Sequence, residues 1–242
     1  MAYTLDQSIL WSRAMTARYA PLTSATGSEP AMTIANMVVT FMLNPPLTWP
    51  TNRAEDSSLS TVAGTQDYTE NIANFGFLEK VTLTDANSKS YSVPNVYNSS
   101  VLGKSSEQSA RPHSVCVRLV TPGTSIGLRF LSAPDQIYTV VSTYQKVPTL
   151  FTATTQDWFT QCNIPTYYMD IFNNLFLAEV FQVNDDSRAG LYRQRGMAAL
   201  ISKAEGLSEM TKAMLYSQAM FNDLQAIAAQ LRVQQAHQAR VV

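Results

Sequence analysis

Charge is what this 242-residue chain has least of: only 14% of its residues are Asp, Glu, Lys or Arg, against roughly 25% in an ordinary soluble protein. The formal net charge of -1 excludes a bulk electrostatic pull toward nucleic acid or an anionic membrane. Cysteine is nearly missing too. Cys116 and Cys162 sit in unrelated contexts, which excludes a disulfide framework and points to a reducing compartment. The opening Met1-Ala2-Tyr3-Thr4-Leu5-Asp6-Gln7 lacks the basic-then-apolar order of a secretory leader. The most apolar run, Ala31 to Leu43, is shorter than the about 20 residues a membrane span needs and is interrupted by Thr33, Asn36 and Thr40. The expectation is a soluble chain with no membrane partner. Its Ser, Thr, Asn and Gln surface suits extensive polar contact with other protein.

Catalytic signatures are also missing. No G-x-S-x-G elbow, Walker-type phosphate loop or dinucleotide fingerprint occurs. His113 and Cys116 are three apart in a strand-like run, so they point to opposite faces and make a poor metal pair. His237 lies near the end of the sequence and reads as solvated or as an interface residue. Asp185 and Asp186 read as helix-start residues rather than an acid/base pair, since catalytic carboxylates usually converge from distant elements. Enzymatic activity, metal and cofactor are all expected to be absent.

What is present has a clear order. Thr4 with Gln7 makes a capping-box signature, and Leu5, Ile9 and the Leu10/Trp11 pair give a helical stripe up to Ala20-Pro21. Ser28 is placed as the cap of a second helix, with Pro30 in its first turn. That helix is apolar on most faces and belongs inside a helical bundle or between subunits. Strand signals follow from Ser60 to Thr69, Phe77 to Asp85, Ser90 to Val96 and His113 to Val120. Turn-rich "DANSKS", "GKSSEQSARP" and "TPGTS" separate them. Leu128 to Pro148 reads as a β-hairpin turning at Pro134-Asp135. After Pro148 the period becomes helical: Ile164-Pro165 enters a helix from Thr166 to Val183. A second helix follows Asp185-Asp186-Ser187 and carries Arg188, Arg193, Arg195 and Lys203, and Gly206 marks a break. The fold class expected is α+β: a helical bundle with an inserted antiparallel β-sheet or sandwich domain and a long C-terminal helix. The divisions are 1–44, 45–148, 149–206 and 207–242.

The last segment carries the strongest partner signal. Leu207, Met210, Met214, Ser217, Phe221, Leu224, Ala228, Leu231 and Gln235 recur at alternating three- and four-residue spacings, a heptad seam. Helical through Gln235, it runs roughly 40 Å at 1.5 Å per residue. Leu207, Met210, Met214, Phe221, Leu224 and Leu231, with Arg232 and Arg240, are therefore candidates for an oligomer or partner interface. The same stripe is equally compatible with packing on the chain's own bundle. Arg188, Arg193, Arg195 and Lys203 are candidate channel or intersubunit charges, although a solvated helix face is the ordinary reading of such a stretch. No aromatic interleaving suggests base stacking.

Taken in order, "TVAGTQDYT", "FLEKVTLTDANSKSYSV", "ARPHSVCV", "GLRFLSAPDQIYTVVSTYQKVP" and "NIPTYYMDIFNNLFLAEVFQVNDDSRAGLYRQRG" resemble the head–tail adaptor (connector) proteins of tailed bacteriophages. The shared points are the a-G-t-x-x-Y strand, the arginine-proline, the strand–P-D–tyrosine run, the tyrosine-glutamine-lysine before a proline, the I-P helix entry and the D-D-x-R turn. They extend over about Ser60 to Gly196. The resemblance implies a virion neck protein, assembled in the host cytoplasm as a ring of typically twelve copies. It further implies docking on the portal protein, a platform for a tail nozzle, terminator or tube protein, and genomic DNA passing through without sequence recognition. The C-terminal segment exceeds what the minimal family member needs. Two other readings stand beside it: a tail tube or nozzle component, which should be mostly sheet, and a β-sandwich carbohydrate-binding or hydrolytic tail-associated protein. If the heptad seam mediates assembly, Phe221→Ser weakens oligomerisation in sedimentation velocity more than Gln225→Ser on the flank; equal effects refute the seam.

Overall fold

The computed structural model describes residues 3–16, 30–96, 109–121, 124–184, 186–205, 207–215 and 217. The class is α+β, and the chain forms two compact units: Met1–Thr51 with Pro148–Val242, and Asn52–Val147. The second unit is thus inserted in the sequence of the first.

In the helical unit, α1 spans Leu5–Thr16. The Thr4 N–H donates to Gln7 Oε1 at 3.0 Å, the reciprocal half of a capping box, and the Leu5 and Asp6 N–H groups donate to the Gln156 and Thr154 carbonyls. Leu5 and Ile9 are buried, but Leu10 is exposed. Trp11 takes its place, packing against Leu177, Ala178, Phe181 and Tyr192. The expected end at Ala20-Pro21 and the Ser28 cap lie outside the described residues. Helix α2 spans Ala31–Leu43, with Pro30 at its N-cap rather than within its first turn; the Pro30 carbonyl accepts from the Ile34 N–H. One face of α2 is buried through Ala31, Ile34, Ala35, Val38, Val39, Met42 and Leu43.

The remaining helices are α3 (Trp158–Cys162), α4 (Met169–Val183, entered through a 3-10 turn at Thr166–Tyr168) and α5 (Ala189–Lys203). Asp186 acts one turn ahead of α5: its Oδ1 accepts from the Arg188 N–H at 2.8 Å. No side chain caps α5 itself at Arg188. The break expected at Gly206 comes earlier, where Ala204 turns extended and Glu205 bridges to Thr48. Helix resumes over 209–215 behind Ser208, whose Oγ accepts from the Thr211 N–H at 3.1 Å. The C-terminal helix therefore starts at a serine cap, not at Leu207.

The inserted unit holds two antiparallel sheets. Strands β1 (Arg53–Asp56), β3 (Phe75–Thr84), β4 (Ser90–Val93) and β7 (Thr139–Lys146) form one, in the order β1-β7-β3-β4. Strands β2 (Asp67–Glu70), β5 (Ser114–Thr121) and β6 (Ser125–Leu131) form the other, in the order β2-β6-β5. Leu78, Val81 and Leu83 of β3, Val140 and Tyr144 of β7, Ile126, Leu128 and Phe130 of β6 and Val115 of β5 share one core. A register shift between Leu78 and Lys80 lets Leu78 and Val81, three apart, both point inward.

Two expectations are corrected here. Leu128 to Pro148 is not a hairpin: β6 and β7 belong to different sheets, and residues 132–138 form a corner between them. Ser132 takes φ 64° there, and the Tyr138 hydroxyl donates to Asp135 Oδ1 at 2.8 Å. The strand expected from Ser60 to Thr69 is confined to Asp67–Glu70. Residues 59–61 instead run beside the start of β7, with Val140 N–H donating to the Leu59 carbonyl. Val62 to Thr65 is a turn, with Gly64 at φ 80°, a conformation glycine adopts without steric cost.

Helices α4 and α5 meet at Gly196, where a Cβ would sit 2.7 Å from Leu175 Cδ2 and 3.2 Å from the Leu175 backbone nitrogen. Gly196→Ala is expected to destabilise the protein by about 1–3 kcal/mol through overpacking, against the about 1 kcal/mol that alanine gains in a helix. Urea unfolding checks it; a net stabilisation would mean the helices have room to spare.

Candidate assembly interface

No group of three or more His, Cys, Asp or Glu is placed to hold a metal ion among the described residues. His113 Nδ1 pairs with Ser132 Oγ at 3.3 Å, while Cys116 is buried on its strand. Burial, and after it the charge of Asp157, pushes the Cys162 thiol up to about 12, so it holds no nucleophilic thiolate at neutral pH. His237 lies outside the described residues. Among the described residues no helix is long and apolar enough to cross a membrane.

The motif residues of the inserted unit act as turn chemistry and meet one another. The Gly64 N–H donates to the Pro134 carbonyl at 2.8 Å. The Tyr68 hydroxyl accepts from the Val62 N–H and donates to the Thr65 carbonyl at 2.8 Å, closing the turn that Gly64 makes possible. Arg111 stacks over the Tyr91 ring, 4.4 Å from its centroid.

The basic candidates on α5 are engaged locally. Arg188 forks onto the Asp186 carboxylate at 2.8 Å and lies over the Phe181 ring. Arg193 reaches across to Glu179 of α4 at 2.9 Å. Lys203 pairs with Asp170 at 2.7 Å and donates to the Tyr167 carbonyl. Arg195 is exposed, its guanidinium over the Tyr192 ring at 5.5 Å. Three of the four cations thus tie α5 to its surroundings, and they do not converge on one site.

The C-terminal seam divides. Leu207 packs against the helical core, as does Leu215, a residue off the heptad register, which is buried. Met210 and Met214 point away, 84% and 50% exposed. Phe221, Leu224, Leu231, Arg232 and Arg240 lie outside the described residues.

A second apolar face lies on α2, the helix whose sequence is apolar on most faces. Met37 and Phe41, one turn apart, are 58% and 42% exposed, and the helix carries no charged residue from Ala31 to Leu43. An outward helix face normally carries charge, and contiguous apolar exposure marks association surfaces. The sequence signal was that same lack of charge, which was read as a place inside a helical bundle or between subunits without singling out Met37 and Phe41. No protein-family model matches the chain, and no curated protein matches it.

The double change Met37→Ser, Phe41→Ser should lower the unfolding free energy of the single chain by no more than about 1–2 kcal/mol, as expected for half-exposed positions, while reducing self-association in sedimentation velocity. A loss of several kcal/mol, with association unchanged, would place the two side chains in the chain's own interior.

Proposed function

We propose that the chain is a structural head–tail adaptor of a tailed bacteriophage, a ring that docks on the portal, extends the DNA channel and carries the tail. In this reading the helices form a bundle, the two sheets a sandwich, and copies of the chain contact one another through uncharged helix faces. The observation that supports it most is the topology: a two-sheet unit inserted between α2 and α3, in the segment order that resembles such adaptors. The exposed Met37 and Phe41 on α2 and Met210 and Met214 near the C-terminus suit permanent contacts, where burying ions would be costly. Arg188, Arg193 and Lys203, already ion-paired within one copy, serve here to hold α5 rather than to face passing DNA. Arg195 is the α5 cation best placed for a channel wall.

Native mass spectrometry of the full chain, alone and mixed with the portal ring of the same virus, tests the reading. A discrete high-order oligomer, formed alone or only on the portal, is the expected result and gives the copy number directly. A monomer indifferent to the portal overturns it and directs attention to glycan binding.

A further inference from the structure

The inserted unit buries a carboxylic acid where its two sheets meet. On β2 the alternation places Tyr68 and Glu70 on the inward face, and Glu70 ends the strand opposite Ile126, with only 2% of its surface exposed. Glu70 Oε2 accepts from the Ser142 hydroxyl at 2.8 Å. Ser142 belongs to β7 in the other sheet, where its register partner is Asp56 of β1. The Glu70 and Asp56 carboxyl groups are within hydrogen-bonding reach of each other. Two carboxylates cannot bond without a shared hydrogen, and Glu70 Oε1 has no donor among the described residues. Neither carboxyl is ion-paired to a described Lys or Arg.

The surroundings decide which acid keeps the proton. Partial burial works against ionisation of Asp56, but the Ser58 hydroxyl and N–H, which donate to its Oδ1 at 2.6 and 2.9 Å, outweigh it and hold the group below its usual range. Burial raises Glu70 to about 7. The Ser142 hydrogen bond opposes that rise, and the bond to Asp56 and its charge add to it. From β7, Tyr144 also faces the pair, its phenol raised by burial and then by the charges of Asp56 and Glu70. Arg53 and Glu79 pair with each other, and Glu55 accepts from Thr143; Arg53 and Glu55 alternate with Asp56 along β1 and so point to the opposite face of that sheet.

We propose that Glu70 and Asp56 share one proton, and that this proton locks the end of β2 onto β1 and β7, making the closure of the two sheets on each other responsive to pH. When pH rises, the proton leaves to solvent. Two facing carboxylates then remain in a buried site, an arrangement that like-charge repulsion and desolvation both disfavour. The pair acts within a single chain, so it stands or falls independently of ring formation.

The sign follows from linkage. Below the ordinary glutamate value of 4.5 both folded and unfolded chains hold the proton, and the lock contributes in full. Between 4.5 and about 7 the unfolded chain has lost it while the folded chain keeps it, so stability falls as pH rises, and above that window it levels off. The folding equilibrium constant loses up to on the order of a hundredfold across the window. Urea unfolding of the full chain from pH 4.5 to 8, compared with Glu70→Gln, reads this directly. The glutamine amide can donate to Asp56 without titrating, so the variant should lack this component and exceed the parent in stability at pH 8. Infrared spectroscopy gives a second readout that needs no unfolding. The parent at pH 6 should show a protonated-carboxyl carbonyl band that Glu70→Gln lacks. Asp56→Asn, whose amide can donate to an ionised Glu70, should move the loss of that band to lower pH. Parallel stability curves for parent and Glu70→Gln, or no protonated band at pH 6, overturn the proposal. So does stabilisation by calcium or magnesium at pH 8 that Glu70→Gln abolishes, since it would make the pair a cation site.

Discussion

The helical unit depends on Trp158. Its core is assembled from stretches of sequence separated by the entire β unit, and this fully buried indole is where they join. The Trp158 backbone N–H donates to the Tyr3 carbonyl, beside a bridge between Thr4 and Asp157, and its ring packs edge-on against Phe151 and at a tilt against Phe172 of α4. The residues ahead of α1, the re-entering chain and α4 thus meet at one residue. The indole Nε1 finds no acceptor among the described residues, which costs about 1–3 kcal/mol; the apolar contacts of a buried aromatic of this size offset that. Nearby, the Asn36 side chain clamps the Phe151 backbone with bonds of 2.8 and 3.0 Å in both directions. The chain's return from the β unit is therefore fixed on α2. Once the ends are pinned, a long insertion adds little, since each doubling of a loop costs only about 0.6 kcal/mol.

Much of this was legible in the sequence, and the failures have a common cause. The capping box at Thr4 and Gln7, the I-P entry to α4 and the strand cores of β3 to β7 are local: each rests on residues within one or two turns of each other. The supposed hairpin from Leu128 to Pro148 failed because alternation identifies a strand but not its neighbour. Two strands joined through Pro134-Asp135 look the same whether they pair or part to opposite sheets. The distinguishing feature is Ser132 at positive φ, a conformation that a serine codon does not announce. The strand placed over Ser60 to Thr69 failed for a related reason: its threonines and valine suit a sheet, yet Gly64 turns the chain and the Tyr68 hydroxyl holds the turn closed.

The candidate sites divided along the same line. Arg188, Arg193 and Lys203 were visible as cations, but their partners could not be read, because Arg193 finds Glu179 on another helix and Lys203 finds Asp170 at that helix's far end. Residues missed altogether were those whose type contradicts their place. Glu70 is an acid on an inward-facing strand position, and the expected strand stopped one residue short of it. Met37 and Phe41 are apolar on an outward-facing helix position. Continued alternation from Tyr68 would have put Glu70 inside. The sequence showed α2 to be apolar on most faces, but which of its residues stay outside depends on the neighbours packed against it.

The β unit buries polar side chains on both faces of β7: Ser142 meets Glu70 between the sheets, and Thr143 and Gln145, on the opposite face, are hydrogen-bonded to Glu55 and Glu79. Such a network adds little net stability, but a register slip would leave its members unpaired, so it specifies how the strands align. The helical unit exposes Met37 and Phe41 on α2, where contact with water favours their removal from solvent, and the β unit likewise exposes Val62, Val120 and Ile137. A chain with few charges has few means of preventing non-specific association by repulsion. The alignment of the β strands is fixed by buried hydrogen bonds, while α2 carries exposed Met37 and Phe41 and no charge from Ala31 to Leu43.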